Sequence, residues 1–457
     1  MKKKVTAVFD IGKTNKKFFL FDEDFQEVFR EYTRFEHIFD SDGYPTEDLH
    51  KLQTWLKAVF HRILATDQYD IKAINFSSYG ASLVHIDENG DAISPLYNYT
   101  KPISEDIIKS FYDNYGPELT FAQHTGSSKE GLLNSGMQLY WLKHTKPEVF
   151  KKIKYSLHLP QYLSFIFTGI PLSEYTSIGC HTSLWDYNKK DYHNWVYQEG
   201  FHKILPPIVS TETSINMNYN GKRIKIGVGI HDSSAALLPY VRSLSDPFIL
   251  VSTGTWSIAL NPFTSMALTE EEVSRNCINY MRINGKQVKA SRLFLGNEYK
   301  VQVQKLATYF DVAPDYHKSV SFNEDAYYEI TKEFEHLFKW ESIPNEHGIQ
   351  TTELPYDNFE HAYHHLMIEL VKLQVQSIEI AKGSDSITKL YVDGGFSDND
   401  VYIKLLSHYL RNMELRTTNA SLGSALGAAI SISDTELNSK FLKKNYALKK
   451  HVPLIIK

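Results

Sequence analysis

Only two cysteines occur in the 457 residues, Cys180 and Cys277, far apart and without a CxxC neighbour. Neither a disulfide framework nor a structural zinc site is implied, and a reducing compartment is expected. Positive charge is not in excess: 49 Lys and Arg against 54 Asp and Glu leave a net charge of −5, which argues against a surface that coats nucleic acid. No window of about 20 uninterrupted apolar residues exists, so no membrane-spanning helix is expected. The opening stretch MKKKVTAVFD has a basic flank, but its apolar run stops at Asp10, too short for a secretory signal. A cytoplasmic protein is the expectation. Two glycine patterns are also incomplete. Gly12-Lys13-Thr14 ends like a Walker A loop, yet the position where that loop needs its first glycine is Ala7; Gly227 and Gly229 start a dinucleotide fingerprint whose third glycine would fall at Asp232. Both readings fail.

What is present is a chain longer than one core usually supports, so two lobes of about 200–250 residues are expected. Hydrophobic content of 42% with 23% charge suits a soluble globular protein. Three strands open it, VTAVFD, KKFFLFD and FQEVFREYTRF, followed by an amphipathic helix near DLHKLQTWLKAVFHRILA and a strand IKAINFSSYG. That order belongs to a mixed sheet rather than a Rossmann unit. A comparable layout restarts at FILVSTGTWSIALN. The helix HLMIELVKLQVQSIEIAKG puts Leu366, Leu370, Leu373 and Ser377 on one stripe beside Met367, Val371 and Ile378, stops at Gly383, and leads into the strand ITKLYVDGGFS.

Four short elements carry the chemistry. In VFDIGKTNKK a strand ends at Asp10 and a glycine-containing turn follows, able to offer N–H and side-chain donors to a phosphate while Asp10 holds Mg²⁺ through water. VSTGTWS crowds Ser252, Thr253, Gly254 and Thr255 between two apolar strands, with the same phosphate logic. In LYVDGGFSDN, Gly394 and Gly395 let a ligand approach the backbone, and Asp398 or Asn399 would cap the next helix. In IKIGVGIHDSSAALLPYV, Asp232 stands before a helix; it is either an N-cap or a carboxylate facing a cleft to accept a substrate proton.

In order and content these elements resemble the FGGY carbohydrate kinases: DIGKTNKK the first phosphate loop, STGTWS the second, VDGGFSDN the adenosine motif and GIHDSS the segment with the catalytic aspartate. IHDSSAA and STGTWS look closest to the rhamnulokinase branch, and TSLWDYNKKDYHNWV resembles another stretch common in the family. The resemblance implies an α/β, two-lobed actin-like ATPase fold of the actin/hexokinase/Hsp70, ribonuclease H-like group with a central cleft. It divides the chain into residues 1–241, with sugar site, first phosphate loop and catalytic Asp, and 242–457, with second phosphate loop and adenosine motif.

It further implies ATP and Mg²⁺. Asp232 is the expected catalytic base, with Tyr79, Gly80 and His231 beside it at the sugar. Asp10, Gly12, Lys13, Thr14, Asn15, Lys17, Thr253, Gly254, Thr255, Gly394, Gly395 and Asn399 are expected at the nucleotide, and Asp10 at the metal. A small-molecule sugar is the expected partner, without nucleic acid or membrane; a homodimer is left open. The alternative is a nucleotide-dependent sugar sensor that does not phosphorylate. One departure concerns the substrate: where rhamnulokinases carry DTWGVDF, this chain has SSYGASL, with Ser77 and Ser82 in place of acidic residues and Tyr79 in place of tryptophan. His361, His364 and His365 lie on one helical face, a possible metal pair, yet with no third ligand nearby they are expected to be solvated or partly packed rather than metal-bound.

Overall fold

The computed structural model describes residues 2–344, 354–420 and 422–456. Strand β1 (Lys3–Ile11) is buried along nearly its whole length and pairs antiparallel with β2 (Lys16–Phe21), which pairs with β3 (Glu27–Thr33). β3 is an edge strand, and its charged Glu27, Arg30 and Glu31 discourage further pairing. After α1 (Leu49–Leu64), capped by Asp48, the chain returns as β4 (Tyr69–Ser78), parallel to β1. The hairpin of β5 (Ser214–Tyr219) and β6 (Lys222–Gly227) and the two-residue β7 (Ile230–His231) complete the sheet. Its order is β5-β6-β4-β1-β2-β3, with β7 on the end of β4. Helix α2 (Asp232–Ser243) follows β7 directly.

The same sequence of pairings repeats. β8 (Ile249–Thr253) turns antiparallel into β9 (Ser257–Asn261), as β1 does into β2. β10 (Cys277–Met281) and β11 (Gln287–Leu293) extend that side, and β12 (Lys389–Gly394) runs parallel to β8 as β4 does to β1. β13 (Glu414–Thr417) and β14 (Lys449–Lys450) close the order β10-β11-β9-β8-β12-β13-β14.

Helix α3 (Phe359–Lys382) covers this second sheet, capped by Asn358 and stopped by Gly383. Its first turns are buried on nearly all sides, a wider face than the sequence stripe; Leu373 is only half-buried. α4 (Asp400–Tyr409) follows β12, and α5 (Gly423–Ser431) comes late in the chain.

One face of the first sheet packs Phe9, Phe60, Phe76 and Leu56 into a single core. The opposite face belongs to a core shared with the second half, where Val8 and Phe19 meet Leu250, Tyr391 and Ala429. Helix α5 lies here: although it falls after residue 242, it packs on α2, β1 and β4. A Cβ on Gly427 would stand 1.8 Å from the Ala235 carbonyl oxygen, so the two helices approach only because that side chain is missing. Among the described residues no helix is long and apolar enough to cross a membrane.

Candidate active site

The carboxyl ends of the parallel strands β1, β4 and β7 lie side by side, because Asp10 is paired with Ser77 and Ser77 with Ile230. Asp10 and Asp232, far apart in sequence, therefore converge at the carboxyl ends of the strands, the usual place for a ligand crevice in such folds. Lys17 stands opposite Asp10 across the β1–β2 hairpin, with its ammonium 3.4 Å from the carboxylate. Ser424, at the start of α5, donates to the other Asp10 oxygen at 3.0 Å. Burial raises the Asp10 pKa above its ordinary value, the charge of Asp232 adds to this, and Lys17 opposes it.

Asp232 is not an N-cap. The cap of α2 is His231, without a side-chain hydrogen bond, and Asp232 is the first helical residue. Its Oδ1 accepts from the Ser233 hydroxyl at 3.2 Å and lies 3.3 Å from His231 Nε2. The side chain keeps 35% exposure at the cleft while protein surrounds it, and burial pushes its pKa up to about 6. His231 is buried, its pKa lowered to about 4 by that burial, so near neutral pH it meets Asp232 as a neutral ring. Its backbone N–H donates to Thr176 Oγ1 at 3.0 Å, and Cys180 Sγ lies 3.2 Å from Nε2. Gly80 backs onto the ring: a Cβ there would be 3.0 Å from it.

A compact group beside these residues escaped the sequence reading. Lys16 is buried and donates to the carbonyls of Gly12 and Lys13, both at 3.1 Å, while pairing with Glu47 at 2.8 Å. Tyr79 donates to Glu47 at 2.7 Å. Lys13, one of the expected nucleotide residues, lies over the rings of Tyr79 at 5.1 Å and Tyr99 at 4.8 Å, 4.0 Å from Glu47. It is thus grouped with the expected sugar residues. Thr14 is exposed in the turn; Asn15 gives its carbonyl to Gly12 N–H and its side-chain oxygen to Arg34.

Across the cleft, the second turn and the Gly394-Gly395 turn beside it divide into packed and open residues. Thr253 is buried, and its hydroxyl donates to the Asp393 carbonyl and accepts from Phe396 N–H. Gly394 has φ +83°, and a Cβ there would sit 1.9 Å from the Thr253 carbonyl oxygen; it is a packing glycine. Gly254 and Gly395 are open, the nearest atom to an added Cβ being 3.9 Å away, and Thr255 is exposed. Asn399 caps α4 through Tyr402 N–H at 2.9 Å and donates to Tyr363 at 2.9 Å. Asp393 has its pKa pushed up to about 6 by burial, with hydrogen bonds from Ser252 and Tyr240 opposing the shift.

A cavity of about 540 Å³ joins the two halves, lined by Asp232, Ser252, Asp393, Gly394, Asn419 and Ser424 among others. That volume holds a small organic ligand. Two carboxylates that repel each other, partly balanced by one lysine, form a hard oxygen set suited to Mg²⁺.

The chain matches the family model for the N-terminal domain of the FGGY family of carbohydrate kinases over residues 5–237. The chain belongs to that family. This FGGY chain is 23% identical over 204 residues to a rhamnulokinase from Oceanobacillus iheyensis, 42% of this chain and 41% of the relative. It is 24% identical over 319 residues to an L-fuculokinase from Haemophilus influenzae, 60% of this chain and 63% of the relative. The alignments thus span less than two thirds of these relatives' lengths.

Solved structures of the same fold include a carbohydrate kinase from Novosphingobium aromaticivorans, with TM-score 0.81 and 22% identity over 100% of this chain and 96% of that one. A xylulose kinase from Lactobacillus acidophilus gives TM-score 0.76 and 15% identity over 99% and 94%. The expected actin-like ATPase fold is the one observed.

The histidine cluster disperses into other bonds. His364 Nε2 accepts from Asn323 N–H, His365 bonds Tyr356 and the Glu335 carbonyl, and His361 faces Glu329.

Proposed function

We propose that this chain is an ATP-dependent kinase that transfers the γ-phosphoryl group of ATP to a hydroxyl of a ketose or deoxyketose of the rhamnulose, fuculose or xylulose type. The observation that carries the reading is Asp232: a carboxylate at the cleft that caps no helix, with its pKa pushed up to about 6 and a neutral histidine 3.3 Å away. Such a group is mostly ionised at neutral pH and still basic enough to take a proton, which is what a general base requires.

The sugar hydroxyl gives its proton to Asp232 as its oxygen forms the new bond to the γ-phosphorus, while the bond from that phosphorus to the bridging oxygen breaks and ADP leaves. The transition state is loose, so alignment and charge compensation matter most. Lys17, close to Asp10, supplies positive charge there. Mg²⁺, when bound, neutralises phosphate charge; Asp10 would hold it through water. The N–H groups of Gly12, Gly254 and Gly395 are taken by the carbonyls of Asn15, Trp256 and Thr253, so the phosphates would be received by other N–H groups of these turns and by the Thr14 and Thr255 hydroxyls, and the nucleoside by the Gly394-to-Asn399 turn. His231 positions Asp232. Lys13, Tyr79 and the Gly80 backbone face the sugar.

The acceptor is inferred to differ from rhamnulose. Ser77 and Ser82 lack the acidic groups of the rhamnulokinase pattern, and a site built for one hydroxyl discriminates sharply against sugars that present another. Ser77 and Ser82 are 0% and 1% exposed, so both act on the pocket through packing rather than by direct contact. Steady-state comparison of L-rhamnulose, L-fuculose, D-xylulose and L-ribulose tests this. A higher kcat/KM for fuculose or xylulose is expected; rhamnulose far ahead of the others would refute the inference from the two serines.

A further inference from the structure

A second cluster of ligand chemistry lies apart from the cleft. His124 is near the end of helix Glu118–Thr125, Asp186 ends the short strand Trp185–Asp186, and His193 caps helix Asn194–Gln198. Each offers one ligand atom, and the three atoms lie within 4.8 Å of one another. Phosphoryl transfer makes no use of them.

The local fold holds these groups in place by contacts outside the cluster. Strand Trp185–Asp186 forms a hairpin with Asp191–Tyr192, and Tyr187 N–H donates to the His124 carbonyl at 2.9 Å, which fastens that hairpin to the helix end. Asp186 Oδ1 accepts the N–H groups of Asn188 at 2.9 Å and Lys189 at 3.0 Å. The carboxylate is thereby oriented as an outer shell orients a metal ligand. Its Oδ2 lies 3.9 Å from the Lys189 ammonium, too far for a hydrogen bond. His193 Nδ1 accepts only a long bond, 3.5 Å, from Trp195 N–H, and Phe121 packs 5.0 Å from the ring. Both histidines are half-buried and Asp186 is buried, so the group is supported from below and reachable from solvent.

We propose that His124, Asp186 and His193 form a binding site for a divalent transition metal, with a fourth position for water. Two imidazoles and one carboxylate suit zinc and its neighbours, whereas Mg²⁺ prefers oxygen alone. Tetrahedral zinc places its ligand atoms about 3.3 Å apart, given bonds of about 2.0 Å. From atoms within 4.8 Å of one another, closure to that spacing requires rotation of the two half-buried histidine side chains.

The site lies beside contacts with the second half of the chain. Gln123 donates to the Leu268 carbonyl at 3.3 Å, and the Gly126 carbonyl accepts from Asn279 N–H of β10 at 3.0 Å. These contacts flank His124 on either side.

The test uses the full chain, stripped with a chelator, titrated with Zn²⁺ by calorimetry and assayed for metal retained after gel filtration. One zinc per chain and a raised thermal midpoint are expected, because a ligand that binds only the folded state stabilises it. His124→Asn and His193→Asn should each weaken zinc binding by at least about tenfold, while His361→Asn leaves it unchanged. Co²⁺ bound to the unmutated chain should show the visible absorption of a low-coordinate site, which keeps the test open if a variant misfolds. No retained zinc, zinc that both variants leave untouched, zinc lost on His361→Asn, or a cobalt spectrum like that of the aqueous ion would each overturn the site.

Discussion

At Asp232, burial raises the pKa, while the hydrogen bonds of Ser233 and the charge of Lys17 lower it, and burial prevails, leaving a value of about 6. The working form of a base is the ionised one, so protonation below that value removes activity. The kcat/KM profile should therefore rise with pH through about 6 and then level, and His231, neutral above about 4, should add no limb between pH 5 and 8. A flat profile across pH 5–7 would contradict this assignment. Asp232→Asn should leave ATP binding intact and lower kcat by about 10²–10⁴, the scale of a lost general base. Asp232 was legible in the sequence as an acid before a helix, but whether it capped that helix depended on backbone geometry. Glu47 and Lys16 were not legible. Their roles arise from a contact between the β1–β2 turn and the chain just before α1, and nothing local in either stretch marks it. Ser424 was hidden for the same reason, although the spacing of Gly423 and Gly427 marks a helix that packs closely on another.

Among the elements, the turn after β12 shows how two adjacent residues of the same type serve different ends. Gly394 cannot accept a side chain, since its φ is +83° and a Cβ would meet the Thr253 backbone at 1.9 Å. Gly394→Ala should cost about 1–3 kcal/mol, read as a lower urea or thermal midpoint. Gly395 is open, so Gly395→Val should fold normally and instead weaken ATP binding, measured by calorimetry. If Gly395→Val lowered sugar affinity and left ATP affinity unchanged, the two halves of the cleft would have been assigned the wrong way round. The strands, the turns and the long helix were legible because their apolar periods and glycine stops are local. The glycines of GVG were legible only as a failed motif. Their cause is tertiary: a Cβ on Gly227 would strike the Asn75 side chain at 2.3 Å, and one on Gly229 the Pro160 carbonyl oxygen at 2.4 Å.

For the molecule as a whole, the repeated sheet was readable from the restart of the strand pattern, whereas the return of α5 to the first sheet was not. A division at residue 241 therefore cuts the chain but not the core, since α2 and α5 are packed together. The halves are also joined by Arg292 of β11, which bonds both carboxylate oxygens of Glu130 while 8% exposed. Arg292→Met would leave Glu130 unpaired, and because that carboxylate is partly exposed, a loss of about 3 kcal/mol is expected, the lower end for a broken buried pair. It should appear as a lower thermal midpoint, and an unchanged midpoint would mean that the bridge does not hold the halves together. Phosphoryl transfer driven by Asp232 is the central proposal for the molecule. The most direct measurement is sugar-dependent ADP release by the purified chain and by Asp232→Asn, across a panel of ketoses, deoxyketoses and polyols, with ATP binding measured in parallel. ADP release should require both a sugar and Mg²⁺ and fall at least about 10²-fold in Asp232→Asn while ATP still binds. ATP and sugar binding without ADP release, or near wild-type turnover in Asp232→Asn, would contradict it.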